Sequence, residues 1–257
     1  MDRPYYMDEN GNKEYYDDIT DVVNSALSND VKLMIYNGCN VKTNLEVIDV
    51  INKFDNVYGA VGFHPTELND ISDDDYVMLE NMLSNKKIVA IGEIGLDYHY
   101  DNTDRKKQRY HFIKQLELAE KYKLPVIIHS RDSIQDTYNI LKEYKVKGVM
   151  HCFSGSLEMA REFVKLGYFI SVGGIITFKN AKNIINVINN IDLSYILLET
   201  DSPYLSPEPY RGKKNEPKNI PIIASKIAEI RGVSLETIRD VTSGNACGLF
   251  DFFSKLC

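Results

Sequence analysis

The chain has 257 residues, 44% of them hydrophobic and 26% charged, with a net charge of −7. This ordinary globular composition supplies a sizeable core and excludes disorder, and no apolar run approaches the roughly 20 residues that a membrane span needs. The negative balance does not draw in a polyanion, so a nucleic-acid partner has to be held by local basic groups or metal ions.

In chain order, the opening MDRPYYMDENGNK is polar and holds Pro4 and the turn-forming Glu9-Asn10-Gly11, so it does not read as a buried strand. Residues 14–29 read as a first helix, with Tyr15, Ile19, Val22, Val23 and Ala26 apolar. Seven apolar runs then read as strands, at 31–38, 56–64, 87–98, 124–131, 146–153, 167–174 and 194–203. Helix patterns lie between them at 43–54, 73–85, 133–145, 156–166 and 180–190. The longest, from about Asp104 to Lys123, carries Phe112, Leu116 and Ala119 behind an Asp cap. No element is assigned past residue 203.

Strands and helices alternate with short connections and no linker, and near-continuous apolar strands imply a parallel sheet covered on both faces. Residues 1–257 therefore read as a single α/β domain, closing as a TIM-like (β/α) barrel whose site lies at the C-terminal strand ends. An open doubly wound sheet is the rival, but its glycine fingerprint is absent. A closed barrel has eight strands and the chain offers seven, so strand one reads as missing or truncated.

Four strand runs end in residue types that bind metals: IVAIGE at Glu93, PVIIH at His129, KGVMH at His151 and YILLETD at Asp201. Singly, the histidines read as hydrogen-bonded strand-end residues and Asp201 as the start of a turn. Glu93 is harder to dismiss, because a carboxylate flanked by Gly92 and Gly95 within an apolar run is rarely buried unless paired. Burying four such groups together without compensation costs several kcal/mol per charge, and a divalent cation offsets that most simply. Two imidazoles and two carboxylates suit Mg, Mn or Zn. The four cysteines, Cys39, Cys152, Cys247 and Cys257, lie far apart without CxxC pairing, which excludes a zinc knuckle and fits reduced thiols in the cytoplasm. Strand alternation points Cys152 away from the His151 face, as a small core residue.

GFHP at 62–65, GEIGLDY at 92–98, IIHSRD at 127–132, HCFSG at 151–155, ETDSPYL at 199–205 and PYRGKKNEP at 209–217 resemble the TatD family of metal-dependent deoxyribonucleases over nearly the whole chain. The resemblance implies a cytoplasmic barrel of the amidohydrolase type that hydrolyses DNA phosphodiesters with two divalent cations. It implies that Glu93 bridges the metals, that His129 and His151 hold the second, and that Asp201 binds the first and helps deprotonate the attacking water. Glu93 and Asp201 are thus the expected catalytic residues. The family also carries a strand-one H-x-H pair, yet the five histidines here are His64, His99, His111, His129 and His151. The favoured reading is a start site or trimming that falls just past that pair. The alternatives are a one-metal variant and a degenerate, non-catalytic metal-binding protein.

For substrate, His64 reads equally as a phosphate contact and as a turn histidine held by Pro65. Arg131 is placed to grip a phosphate, and Arg211, Lys213 and Lys214 form a basic loop that could track a DNA backbone or simply be solvated. Asp97 and Tyr98 are candidates for orienting a ligand or substrate, while His99 and His111 read as structural. The expected substrate is single-stranded DNA or a strand end, cut in the 3'-5' direction by a monomer. The rival is a deacylase or esterase on the same barrel.

Overall fold

The computed structural model describes residues 18–100 and 102–251, together with the backbone of 5–7 and 13–15. Short strands β1 (Tyr5–Met7) and β2 (Lys13–Tyr15) pair antiparallel, apart from the main sheet. The Glu9-Asn10-Gly11 turn and Cys257 lie outside the described residues. Helix α1 spans Ile19–Ser28 and not 14–29, because the Asp18 side chain accepts from the Thr20 N–H at 2.7 Å and caps it there. Tyr15 belongs to β2 instead.

The main sheet is parallel, in the order β3 (Met34–Asn37), β4 (Val57–Val61), β5 (Ile88–Asp97), β6 (Val126–Arg131), β7 (Gly148–Met150), β8 (Tyr168–Val172) and β9 (Ile196–Leu198). Each lies inside one of the seven runs expected from sequence. Helices α2 (Val41–Lys53), α3 (Asp73–Met82), α4 (Arg105–Tyr122), α5 (Ile134–Leu141), α6 (Leu157–Lys165) and α7 (Lys182–Asn190) occupy the intervals. Spatial order follows sequence order, so the sheet curls progressively into a barrel-like wall with helices outside. Two further helices, α8 (Ile220–Arg231) and α9 (Leu235–Phe250), were not expected from sequence. Their signals are ordinary: Pro221 in the first turn of α8, Gly232 in the left-handed conformation at its end, and Ser234 capping α9.

Alternation along the strands builds two apolar layers. Tyr58, Val89, Ile127, Val149 and Leu197 form an inner set, which Phe250 of α9 joins. Val61, Ile91, Ile128, Met150 and Ile170 face the helices in a larger cluster with Val47, Leu79, Leu116 and Phe163. Residues buried on both faces explain why the runs read as continuously apolar. Beyond its apolar stretch, β5 continues against β6 in the register Gly95 to His129 and Asp97 to Arg131. A Cβ at Gly95 would sit 2.0 Å from the His129 carbonyl oxygen, and its φ is 145°, so only glycine lets the two strands approach here. That approach carries Glu93 and Asp97 beside His129.

Candidate metal centre

Glu93, His129, His151 and Asp201 come from β5, β6, the turn after β7 and the loop after β9, and the structure brings all four together. Glu93 is the hub. Its Oε1 lies 2.9 Å from His129 Nδ1, 3.8 Å from His151 Nε2 and 3.8 Å from His64 Nε2. His151 Nε2 also lies 3.1 Å from Asp201 Oδ1, which links Asp201 to the group.

Carboxylates brace the imidazoles from behind. His129 Nε2 is 3.0 Å from Asp97 Oδ2, and His151 Nδ1 is 2.5 Å from Glu199 Oε2. Asp97 also accepts from the His99 N–H at 2.9 Å, and Glu199 Oε1 accepts from the Cys152 N–H at 2.6 Å. Such partners fix ring orientation in metal sites. Asp97 was legible as an orienting residue, whereas Glu199 was not singled out despite lying inside the ETDSPYL motif. Its partner is 48 positions away in sequence.

The electrostatics follow from burial and pairing. Burial alone pushes the Glu93 carboxyl up, but His151, the bond from His129 and nearby His64 outweigh it and hold the group well below the usual carboxylate range. Burial disfavours protonated His129, yet its bonds to Asp97 and Glu93 raise it to about 9. His151 is likewise driven down by burial and carried well above its ordinary value by Glu199 and Glu93. His64 goes the other way: burial lowers it to about 4, and Glu93 offsets only part of that. His64 is therefore a neutral imidazole at neutral pH. Its Nδ1 is 2.8 Å from Thr66 Oγ1, and its ring meets His129 edge to face with centroids 4.4 Å apart.

These residues fit a divalent cation. Ligand atoms of His64, Glu93 and His129 lie within 4.8 Å of one another, and the wider group places Glu93, Asp97, Glu199 and Asp201 against three imidazoles. A mixed nitrogen and oxygen donor set with excess carboxylate suits Mg, Mn or Zn. His64 stood as a phosphate contact or turn histidine in the sequence reading, and the structure turns its Nε2 toward Glu93.

Other expectations are corrected or located. Cys152 lies past the end of β7 with φ 43°, so strand alternation does not set its direction. Burial, then Glu199, pushes its thiol up. The Cys39 thiol is raised to about 12 by burial and then by Glu93, so a second cysteine borders the centre that sequence did not indicate. Asp201 adopts φ 54°, an uncommon conformation for a non-glycine residue and frequent at functional loops. Arg131 is exposed at the end of β6 and helps hold Asp97 in its charged form. Arg211 is exposed with its guanidinium 4.4 Å from the Phe178 ring centroid, and Lys213 is exposed on the same loop. His99 pairs with Asp132 at 3.0 Å, and His111 lies 2.9 Å from the Tyr76 hydroxyl. Beside the His129 strand end, Tyr98, Arg105, Ser130, Asp132 and Asp136 line a cavity of about 420 Å³. No helix among the described residues is long and apolar enough to cross a membrane.

The family model described as TatD related DNase matches residues 9–251. The uncharacterized metal-dependent hydrolase YabD of Bacillus subtilis is 40% identical over 243 residues, covering 93% of this chain and 95% of YabD. The uncharacterized metal-dependent hydrolase YcfH of Escherichia coli is 35% identical, covering 97% and 95%. Among solved structures, the TatD homologue YjjV of Escherichia coli superposes with a TM-score of 0.86 at 32% identity, covering 91% of this chain and 92% of YjjV. A TatD family hydrolase of Entamoeba histolytica gives 0.78 at 28%, covering 93% and 91%. The chain belongs to the TatD family of metal-dependent hydrolases.

Proposed function

We propose that this chain is a cytoplasmic deoxyribonuclease, one domain over residues 1–257, that hydrolyses phosphodiester bonds at the end of a DNA strand in the 3'-5' direction. The observation that carries the reading is the convergence of His64, His129 and His151 on Glu93 Oε1, with Asp201 tied in through His151. The description of the matching family, TatD related DNase, supports a DNA substrate.

In this reading Glu93, His129, His151 and Asp201 hold divalent cations, and the neutral imidazole of His64 adds a donor on the β4 side. When bound, such a cation lowers the pKa of water and offsets charge on the phosphodiester. Asp201 takes the proton from the attacking water, and Glu93 stays ionised to offset positive charge. Glu199 and Asp97 keep the His151 and His129 rings in place. Arg131 binds a phosphate of the substrate strand, with Arg211 and Lys213 tracking the backbone farther out.

The test is cleavage of end-labelled single-stranded DNA by purified protein with Mg²⁺, Mn²⁺, Zn²⁺ or EDTA, run beside an acyl ester. Metal-dependent shortening from one end supports the reading. Ester hydrolysis with intact DNA rejects it in favour of a deacylase.

A further inference from the structure

Three buried side-chain amides grip the backbone where the ligand-bearing strands run out of ladder partners. Gln115 of α4 is 1% exposed. Its Oε1 accepts from the Phe63 N–H at 2.7 Å, and its Nε2 donates to the Phe63 carbonyl at 3.1 Å. Gln108, two turns earlier on the same face of α4, does the same to Asp97, accepting from its N–H at 2.8 Å and donating to its carbonyl at 2.9 Å. Asn44 of α2, fully buried, accepts from the Gly62 N–H at 3.1 Å and donates to its carbonyl at 2.9 Å.

The gripped residues are not arbitrary. Gly62 and Phe63 follow the end of β4 and lead directly into His64, whose own N–H donates to the Cys39 carbonyl at 2.8 Å. Asp97 ends β5 and braces His129. A buried backbone N–H and C=O must both be satisfied. A primary carboxamide is neutral and offers an acceptor and a donor side by side on one planar group, as a neighbouring strand would. Gln108 and Gln115 sit on one rigid helix, so α4 fixes the distance between the His64 backbone and the Asp97 backbone. It is pinned in turn by Lys114 to Asp73 at 2.6 Å and Lys107 to the Asn69 carbonyl at 3.1 Å.

We infer that Gln115, Gln108 and Asn44 are positioning residues of the metal centre, holding His64 and the Asp97–His129 pair at ligating separation. The inference rests on the reading that this cluster binds a divalent cation. Groups that orient ligands from outside typically change metal affinity or activity by about 10- to 100-fold when removed.

The experiment loads wild type, Gln115→Leu, Gln108→Leu and the milder Gln115→Glu with Mn²⁺, the probe ion, at a temperature where circular dichroism shows each folded. Gln115→Glu keeps the bond from the Phe63 N–H and loses the donor, so it serves if the leucine variant does not fold. Ile188→Ala, buried in α7, is the control for general destabilisation. Free Mn²⁺ is read by electron paramagnetic resonance, and ¹⁵N-histidine spectra are recorded on the metal-free proteins. Expected are at least about tenfold weaker Mn²⁺ binding in both leucine variants, a smaller loss in Gln115→Glu, and less than about twofold change in Ile188→Ala. The His64 ring resonances move in the Gln115 variants and the His129 ring resonances in Gln108→Leu. Folded variants with Mn²⁺ affinity within about twofold of wild type and unmoved resonances overturn the inference. If wild type takes up no Mn²⁺, the metal reading fails on its own, and the histidine spectra alone decide: moved resonances support positioning and unmoved ones refute it.

Discussion

His129 is held between two carboxylates, with Nδ1 2.9 Å from Glu93 Oε1 and Nε2 3.0 Å from Asp97 Oδ2. An imidazole with both nitrogens so placed donates from both and carries a positive charge, which is why its pKa rises to about 9 despite burial. It thereby stands in for part of the charge that a cation would bring.

Replacing this ring removes both a proposed ligand and the group that keeps Glu93 and Asp97 together. His129→Ala is expected to lower bound metal and hydrolytic activity together, each by at least about tenfold. Elemental analysis of dialysed protein alongside an activity assay checks this. Full activity in the variant takes His129 out of the site.

Glu199 touches no substrate in this account, yet it orients His151 through the 2.5 Å contact to Nδ1. Glu199→Gln keeps the shape and removes the charge. Metal affinity is expected to fall by about 10- to 100-fold with the fold retained. Calorimetric titration with Zn²⁺ or Mn²⁺, paired with circular dichroism, measures both.

The imidazoles make a signed pH prediction for the metal-free protein. His129 and His151 have raised folded pKa values, so their contribution to stability is fully present below the unfolded value of 6.5 and is lost as pH rises through about 9 for His129 and higher still for His151. His64 is lowered to about 4, so protonation of the unfolded chain removes stability as pH falls from 6.5 toward 4. Metal-free protein should therefore melt highest near neutral pH and lower at pH 9.5 and at pH 5. Metal uptake at pH 7 should release protons, because ligating imidazoles must be neutral. Titrations in buffers of different ionisation enthalpy count them, and zero release contradicts the assignment of His129 and His151 as ligands.

Behind the site, Phe163 packs edge to face against Tyr138, Phe153 and Tyr168 and is fully buried. Phe163→Ala should cost about 3–5 kcal/mol of stability by leaving a cavity under the loop that follows His151. Denaturant unfolding measures it, and a loss below about 1 kcal/mol would show that the neighbouring rings close the space.

The four positions were legible because β5, β6, β7 and β9 announce themselves as apolar runs, although only His151 and Asp201 lie past their strands, while β5 and β6 continue beyond Glu93 and His129 to Asp97 and Arg131. What sequence could not supply was pairing across distance. Glu199 reads as part of a turn motif until its contact with His151 is seen, and Gln108 and Gln115 look like surface residues of a polar helix amid lysines and arginines. Strand alternation does not carry the Cys152 reading, because Cys152 lies past Met150 in a left-handed turn. The α1 boundary failed because Tyr15 fits an apolar helical face, whereas Asp18 caps the helix three residues later. Helices α8 and α9 went unassigned although Pro221, Gly232 and Ser234 mark their ends.

The most direct test of the metal centre is anomalous diffraction at the manganese edge from a crystal of this protein grown with Mn²⁺. A peak is expected within coordinating distance of Glu93 Oε1, bordered by nitrogens of His129, His151 or His64. Density showing Glu93 and its three histidines in place with no anomalous peak among them would contradict it.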